Sequence, residues 1–421
     1  MRRGSALALL LLVGLRAEAG QDLAAKIRDA SERAYPELVT ARRWFHQRPE
    51  LSNREFATAE EIARRLRALG LEVRSGVAGT GVVATLRGAL PGPLVVWRSD
   101  IDALPIEEQV DLPYRSAAPG VMHACGHDIH TAVGLGAAQV LSSLRAELHG
   151  TVRFLFQPAE EGAPAGEEGG ATLMIKEGVL ADPVPAAIFG LHVWPGLEAG
   201  QIGWRSGGIM ASADYLHLRV LGKMSHGSEP QKSVDAVVVA SQVVVALQTI
   251  ASREIDPRRP VVVSIGSLHA GNRSNIIAAE AVLEGTVRTL DEETHRAVPA
   301  AIERIVNGIC EAGRARCELQ IEAGNPVTSN DPTLTKAAVD ALRRGLGANT
   351  LLESEPIMAA EDFSHYAQLV PGFYFFLGVG NPEEGWTSSL HTPTFRPDER
   401  SILTGVRAAS TLLFGATGGW R

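Results

Sequence analysis

The chain has only three cysteines among 421 residues, no internal repeat, no low-complexity tract and no block of basic residues. Each shortage narrows the reading. Without a basic stripe, and with a formal net charge of -8, no nucleic-acid partner is expected. Without repeats the fold is not a stack of identical units. The one glycine-rich stretch, Gly76-Val-Ala-Gly-Thr-Gly81, has the wrong spacing and context for a nucleotide fingerprint, so no phosphate-cradling loop is read. Past the first residues no stretch reads as a membrane span. Cys125, Cys310 and Cys317 are too few for a disulfide framework. An oxidising compartment would allow Cys310 and Cys317 to pair, but the geometry required is narrow, and two separate buried thiols, one late on a helix and one opening a strand, are the plainer reading; spacing leaves the pairing open.

What remains is an ordinary globular composition, 45% apolar and 21% charged, in a chain long for one core. Two domains are the natural expectation. The N-terminus stands apart. Arg2-Arg3, an apolar run from Ala6 to Leu15 and then Ala17-Glu18-Ala19 read as a secretory signal peptide over residues 1–19, cut after Ala19. The run is too short to span a bilayer. The mature protein is therefore expected to be exported, periplasmic or extracellular, with no membrane span after cleavage.

Apolar periodicity predicts helices over Asp22–Arg48 and Thr58–Leu69, strands over Val82–Leu86 and Leu94–Trp97, and a helix over Gly134–Leu148. Further strands are predicted over Val152–Phe156, ahead of Gln157-Pro-Ala-Glu-Glu161, and over Ala186–Leu191, ahead of His192. Strands alternating with helices mean an α/β sheet, whose chemistry gathers outside strand carboxyl ends. Near Ala213 the pattern changes. Strands over Tyr215–Val220, Val261–Leu268, Ala281–Thr289 and Cys317–Glu322 interleave with helices over Val234–Ala251 and Glu292–Glu311. That order is βαββαβ, the ferredoxin-like motif, inserted into the first domain. The α/β pattern resumes at Pro332 and includes a buried strand over Phe373–Gly378.

The chemistry concentrates in His123-Ala-Cys-Gly-His-Asp-Ile-His130. Cys125 and His127 lie two apart, a spacing at which both side chains can point one way. Thiolate plus imidazole suits zinc or a similar divalent ion, and a carboxylate can complete the shell. Glu160-Glu161 follows a buried strand, where an adjacent acid pair is more than a solvated face. His192 follows an apolar strand, and His391 stands in Leu390-His-Thr-Pro393, where a turn role and a ligand role are equally open. His123 and His130 are read as partners of ligands or as packing residues, and Glu361 as an acid supporting the site. His46, His149, His217, His269, His295 and His365 are assigned nothing.

Those motifs, with Leu191-His192 and Met358-Ala-Ala-Glu-Asp-Phe363, resemble the hippurate hydrolase family of metallo-amidohydrolases. That family belongs with the two-metal peptidases of family M20 and includes N-acyl amino acid amidohydrolases and hydrolases of auxin conjugates. The likeness runs from about Leu38 to Arg407. It implies an α/β catalytic domain of zinc-peptidase type with an inserted ferredoxin-like (βαββαβ) lid. The expected boundaries are 20–212 and 326–421 for the catalytic domain and 213–325 for the lid. It implies two divalent ions (Zn, Mn, Co or Ni) held by Cys125, His127, Glu161, His192 and His391. Glu160 would be the general base, and Asp102 in Arg98-Ser-Asp-Ile-Asp-Ala-Leu-Pro105 would orient a ligand. In the insert, His226 of Gly222-Lys-Met-Ser-His226 would reach substrate, often from a neighbouring subunit, which allows a homodimer through the lid. Asn275 and Arg288 would contact substrate carbonyl or carboxylate groups. Two departures lie in the insert: Gln231 after Pro230 where the family has histidine, and Asn275-Ile-Ile-Ala278 where it has Asn-Val-Ile-Pro.

The expected activity is hydrolysis of an N-acyl amino acid to a carboxylic acid and a free amino acid. The alternative is a metallo-dipeptidase or carboxypeptidase acting on unblocked peptides. A metal-bearing binding protein without activity would predict a broken ligand set or a missing base.

Overall fold

Apolar residues at helical spacing build the first helix, α1 (Gly4–His46), whose Ile27, Ala30, Ala34, Leu38, Ala41 and Phe45 form one buried stripe. The computed structural model describes the backbone of residues 4–420 and side chains from residue 22 to residue 420. The expected leader, residues 1–19, therefore lies outside the residues described in full. Glu50 starts the next helix, α2 (Phe56–Ala68), by accepting from the Ala57 and Thr58 N–H groups at 3.1 and 2.8 Å. Gly70, with φ of 78°, ends it.

The chain continues through β1 (Glu72–Val77), β2 (Gly81–Arg87), β3 (Leu90–Asp100), α3 (His127–Ser143), β4 (His149–Gln157), α4 (Gly170–Lys176), β5 (Ala187–Glu198), β6 (Ile202–Trp204) and β7 (Gly207–Met210). Next come β8 (Ala213–Leu221), β9 (Ser225–His226), α5 (Ala236–Thr249), β10 (Val261–Ala270), β11 (Ile276–Ile277), β12 (Glu280–Thr289), α6 (Glu292–Ala312), β13 (Arg316–Asn325) and β14 (Thr328–Asn330). Last are α7 (Pro332–Leu346), β15 (Leu351–Glu353), α8 (Phe363–Ala367), β16 (Gly372–Gly380) and α9 (Ser401–Thr417). The residues fall into two compact units. One holds the chain up to Ser206, Asn330–Ser354 and everything from His365 on; the other holds Gly207–Ser329 and Glu355–Ser364.

The first unit is built on a mixed sheet of order β1-β2-β4-β3-β5-β16-β6-β15. Its centre, β4-β3-β5-β16, is parallel, while β1, β2 and β6 run antiparallel to their inner neighbours. Strands buried on both faces read as continuous apolar runs, as in Val95-Val96-Trp97 and throughout β16. That is why these strands were legible. Largely exposed β1 and the three-residue β6 and β15 have no such signature.

Of the expected elements whose ends differ, two bear on the candidate site. The helix expected from Gly134 begins at His127 and stops at Ser143, because Gly126 takes a left-handed φ of 84° and turns the chain at once into α3. The strand expected to end before His192 runs on to Glu198, with His192 paired opposite Phe376 of β16. His192 is therefore a strand residue, not a junction residue.

The second unit has an antiparallel sheet of order β10-β12-β8-β13, with α5 and α6 packed into one core with it. This is the ferredoxin-like arrangement. Asp235 and Asp291 cap its two helices through their side chains. A disulfide joins Cys310, late on α6, to Cys317 on β13 across a Cα–Cα distance of 6.1 Å. Among the described residues one stretch, Ala236–Glu254, is long and apolar enough to cross a membrane by composition. Its Ala236, Val239, Ala240, Val243 and Leu247 are nevertheless core residues of this unit, whereas Val237, Val238 and Val245 are exposed.

Candidate metal centre

All the features below lie in the first unit unless stated. β3 delivers Arg98, Asp100 and then Asp102 at its carboxyl end, all buried. Arg98 Nη1 lies 2.6 Å from Asp100 Oδ2, and Arg98 Nε donates to Gln157 Oε1 at 3.0 Å. Asp100 Oδ1 pairs with His130 Nδ1. His130 Nε2 accepts from the Val193 N–H at 2.9 Å, which puts the imidazole proton on Nδ1, toward Asp100. His130 thus clips the first turn of α3 to β5 immediately after His192.

Asp102 does three things. Its carbonyl and Oδ1 lie 2.9 and 3.1 Å from His127 Nδ1, so that nitrogen carries the proton and Nε2 faces away. Its Oδ2 accepts from Ser52 Oγ at 2.8 Å and from the Glu161 N–H at 3.0 Å. Asp102 therefore fixes both a ring and a turn. Burial would raise its pKa, but the hydrogen bond and charge of His127 outweigh that and hold it below the usual range.

Around Cys125 the other donors converge. Its Sγ lies 3.3 Å from His192 Nε2 and 3.2 Å from His391 Nε2. His192 donates Nδ1–H to the Val193 carbonyl at 2.8 Å, leaving Nε2 for the sulfur side. His391 sits at a left-handed φ of 59°, with its N–H on the Ala124 carbonyl at 3.0 Å. Its Nε2 is 3.3 Å from Glu161 Oε1, and His127 Nε2 is 3.9 Å from both Glu160 Oε2 and Glu161 Oε1. Three overlapping groups, Cys125–His127–His192, Cys125–Glu161–His391 and His127–Glu160–Glu161, each bring their ligand atoms within 4.8 Å of one another.

The donor chemistry fits divalent metal. Among the described residues, His127 Nε2 is buried without a hydrogen-bond partner, and Glu161 Oε1 faces the His391 ring at 3.3 Å. A bare buried ring nitrogen is costly, and a cation would satisfy it and the carboxylate together. Burial first, then the charges of Glu161 and Glu160, push the Cys125 thiol well up. Burial would lower His127, yet Asp100 and Asp102 outweigh it and hold the imidazole at about 10. The negative field that keeps a proton on His127 is the field that attracts a cation, which would then displace protons from thiol and ring.

Sequence reading missed a buried network behind this centre. Asp128, next to His127, lies 2.7 Å from Arg42 Nε and 2.8 Å from His46 Nδ1, and His46 Nε2 is 3.1 Å from Glu108 Oε1. Burial alone would raise Asp128; Arg42 and His46 hold it far below the usual carboxylate range. Arg42 and His46 are four apart on α1, so both face α3. That spacing was the available signal. His123, both ring nitrogens buried without a hydrogen-bond partner among the described residues, is pushed down to about 4 by burial and stays neutral.

The remaining expected residues belong to the second unit. His226 is exposed on β9, its Nδ1 2.7 Å from Ser228 Oγ. It pairs opposite Ile276, and the neighbouring Asn275 carbonyl accepts from the Gly227 N–H at 2.8 Å. Arg288, on β12, donates from Nη1 to the Met358 carbonyl at 3.3 Å. Glu361 is buried and accepts from the Phe363 N–H at 3.0 Å.

Residues 96–414 match the model of the family described as Peptidase family M20/M25/M40. An N-acyl-L-amino acid amidohydrolase of Geobacillus stearothermophilus is 43% identical over 312 residues, covering 73% of this chain and 83% of that protein. Thermostable carboxypeptidase 2 of Saccharolobus solfataricus is 39% identical over 393 residues, 93% of this chain and 98% of its own. The crystal structure of the YXEP protein of Bacillus subtilis, described as a dinuclear metal-binding peptidase of the M20 family, superposes with a TM-score of 0.80 at 36% identity, over 92% of this chain and 99% of that one. By its matched family model and by these relatives, the chain belongs to peptidase family M20/M25/M40.

Proposed function

We propose that this protein is a two-metal hydrolase that cleaves the amide bond of N-acyl amino acids, releasing a carboxylic acid and a free amino acid. The observation that carries the reading is the convergence of one thiol, three imidazoles and two adjacent carboxylates around Cys125 and His127. Cys125, His127, Glu161, His192 and His391 would hold two divalent ions of the Zn, Mn, Co or Ni kind, the Cys125 sulfur lying close to both His192 and His391. Bound there, such ions lower the pKa of water and polarise an amide carbonyl. Glu160, beside the ligands but not needed among them, takes the proton from the attacking water and passes it to the leaving nitrogen. Asp102 holds His127 in the tautomer that aims Nε2 at the site.

For the second unit we keep His226 as the donor that meets the developing oxyanion, and Asn275 and Arg288 as the grip on substrate carbonyl or carboxylate. The exposed imidazole of His226 supports this, and the guanidinium type of Arg288 suits a carboxylate. A homodimer through this unit is supported by the exposed Val237, Val238 and Val245 of α5 and by the open edge of β10. Export is supported by the charged start, apolar run and Ala17-Glu18-Ala19, and by the Cys310–Cys317 disulfide, which suits an oxidising compartment.

The decisive experiment replaces Glu160 with Gln and assays N-acetyl and N-benzoyl amino acids with Mn²⁺ or Zn²⁺. Turnover should drop by about 10²–10⁴ with the metals still bound. Full turnover in the variant removes Glu160 from the reaction. The second reading, a carboxypeptidase, rests on the Saccharolobus relative. Unblocked peptides hydrolysed faster than blocked amino acids would favour it.

A further inference from the structure

The segment Glu50–Glu55, between α1 and α2, contacts the residues that follow β3 and β4 at several points. Ala103 N–H donates to the Glu50 carbonyl at 2.9 Å. Ser52 Oγ reaches Asp102 at 2.8 Å, and Asn53 Nδ2 reaches Glu167 Oε2 and the Glu168 carbonyl at 3.1 and 3.0 Å. Glu55 is fully buried. Its Oε2 accepts from Thr80 Oγ1 at 2.5 Å and its Oε1 from the Ala159 N–H at 2.9 Å.

Ala159 is the residue before Glu160, and it is held at a left-handed φ of 52°. An alanine there is disfavoured and persists only if its surroundings impose it. Pro158 offers no N–H to help. The backbone around Glu160 is therefore pinned on both sides, by Glu55 on the Ala159 N–H and by Asp102 on the Glu161 N–H.

We propose that Glu55 is a positioning residue for the reaction: by holding the strained Ala159 turn it sets where the Glu160 carboxylate points, while Asp102 separately holds Glu161. This rests on the reading of Glu160 as the base. Losing Glu55 then misaims the base yet leaves the metal ligands in place. The expected signature is a fall in kcat with little change in KM or in metal content.

The test uses the full chain loaded with Mn²⁺. Glu55→Ala should lose about ten- to hundredfold in kcat, with KM and the metal-to-protein ratio unchanged. Glu55→Gln, which keeps a carbonyl acceptor for the Ala159 N–H, should rescue kcat to within about threefold of the parent. Adding Ala159→Gly to Glu55→Ala should recover at least about fivefold, because glycine takes the left-handed turn without help. If Glu55→Ala does not fold, Glu55→Asp, one methylene shorter, replaces it. A folded Glu55→Ala enzyme with intact kcat overturns the inference, as does loss of kcat in step with loss of metal, or a Glu55→Gln variant as impaired as Glu55→Ala. An active Glu160→Gln enzyme instead sinks the reading of the base, whatever Glu55 does.

Discussion

Glu55 is also where the protein's pH response is most open to measurement. Burial, opposed by the Thr80 hydrogen bond, lifts its carboxyl from the ordinary 4.5 to about 7. The folded state thus holds a proton that the unfolded chain has already released. Stability from this group is complete below the unfolded value of 4.5 and drains away as pH rises through about 7. Gln cannot ionise and does not suffer that loss. Glu55→Gln should gain on the parent by on the order of 2–3 kcal/mol between about pH 5 and pH 8, read from denaturant midpoints. A stability gap that does not move with pH would refute it. At this scale the sequence showed donors better than their supports. Cys125, His127, Glu160, Glu161, His192 and His391 stand in motifs with chemistry written on them. Glu55, Ser52, Arg42 and His46 do not, because a polar residue near a helix end reads as solvated until its burial is known.

Among the elements, α3 depends on a single conformational choice. Gly126 ends the cysteine turn at φ 84°, and a Cβ there would meet Val193 Cγ2 at 2.5 Å. Gly126→Ala combines a disfavoured backbone with a clash against the strand that bears His192. It should cost more than about 1 kcal/mol of stability and weaken metal binding, measured by denaturation and by chelator competition. An unchanged affinity would show that the turn is not needed to aim Cys125 and His127. The helix was expected seven residues late for the same reason: His127–Thr131 look like a polar loop by composition, and only the left-handed glycine reveals a helix start. Strand β5 ran past its predicted end because pairing with β16, remote in sequence, carries it on. Local pattern cannot supply a remote partner.

For the molecule as a whole, periodicity was enough to separate the two architectures. Double-sided burial marks the parallel core, and alternation marks the antiparallel sheet of the second unit. The pairing of Cys310 with Cys317 was not decidable from spacing, since it needs the register of β13 against α6. Replacing both with Ser should lower the stability of the second unit by about 2–3 kcal/mol, seen as an earlier denaturant transition that reductant reproduces in the parent. Identical curves with and without reductant would deny the bond a stabilising part.

The strand order carries one more consequence. β16 is made almost last, yet it fills the gap between β5 and β6 near the middle of the large sheet. During synthesis β5 must wait with one side unpaired through the whole of the inserted unit, a sticky edge that invites wrong neighbours. The late arrival of residues 372–380 closes that edge, so the hazard to a growing or truncated copy is aggregation rather than mere inactivity.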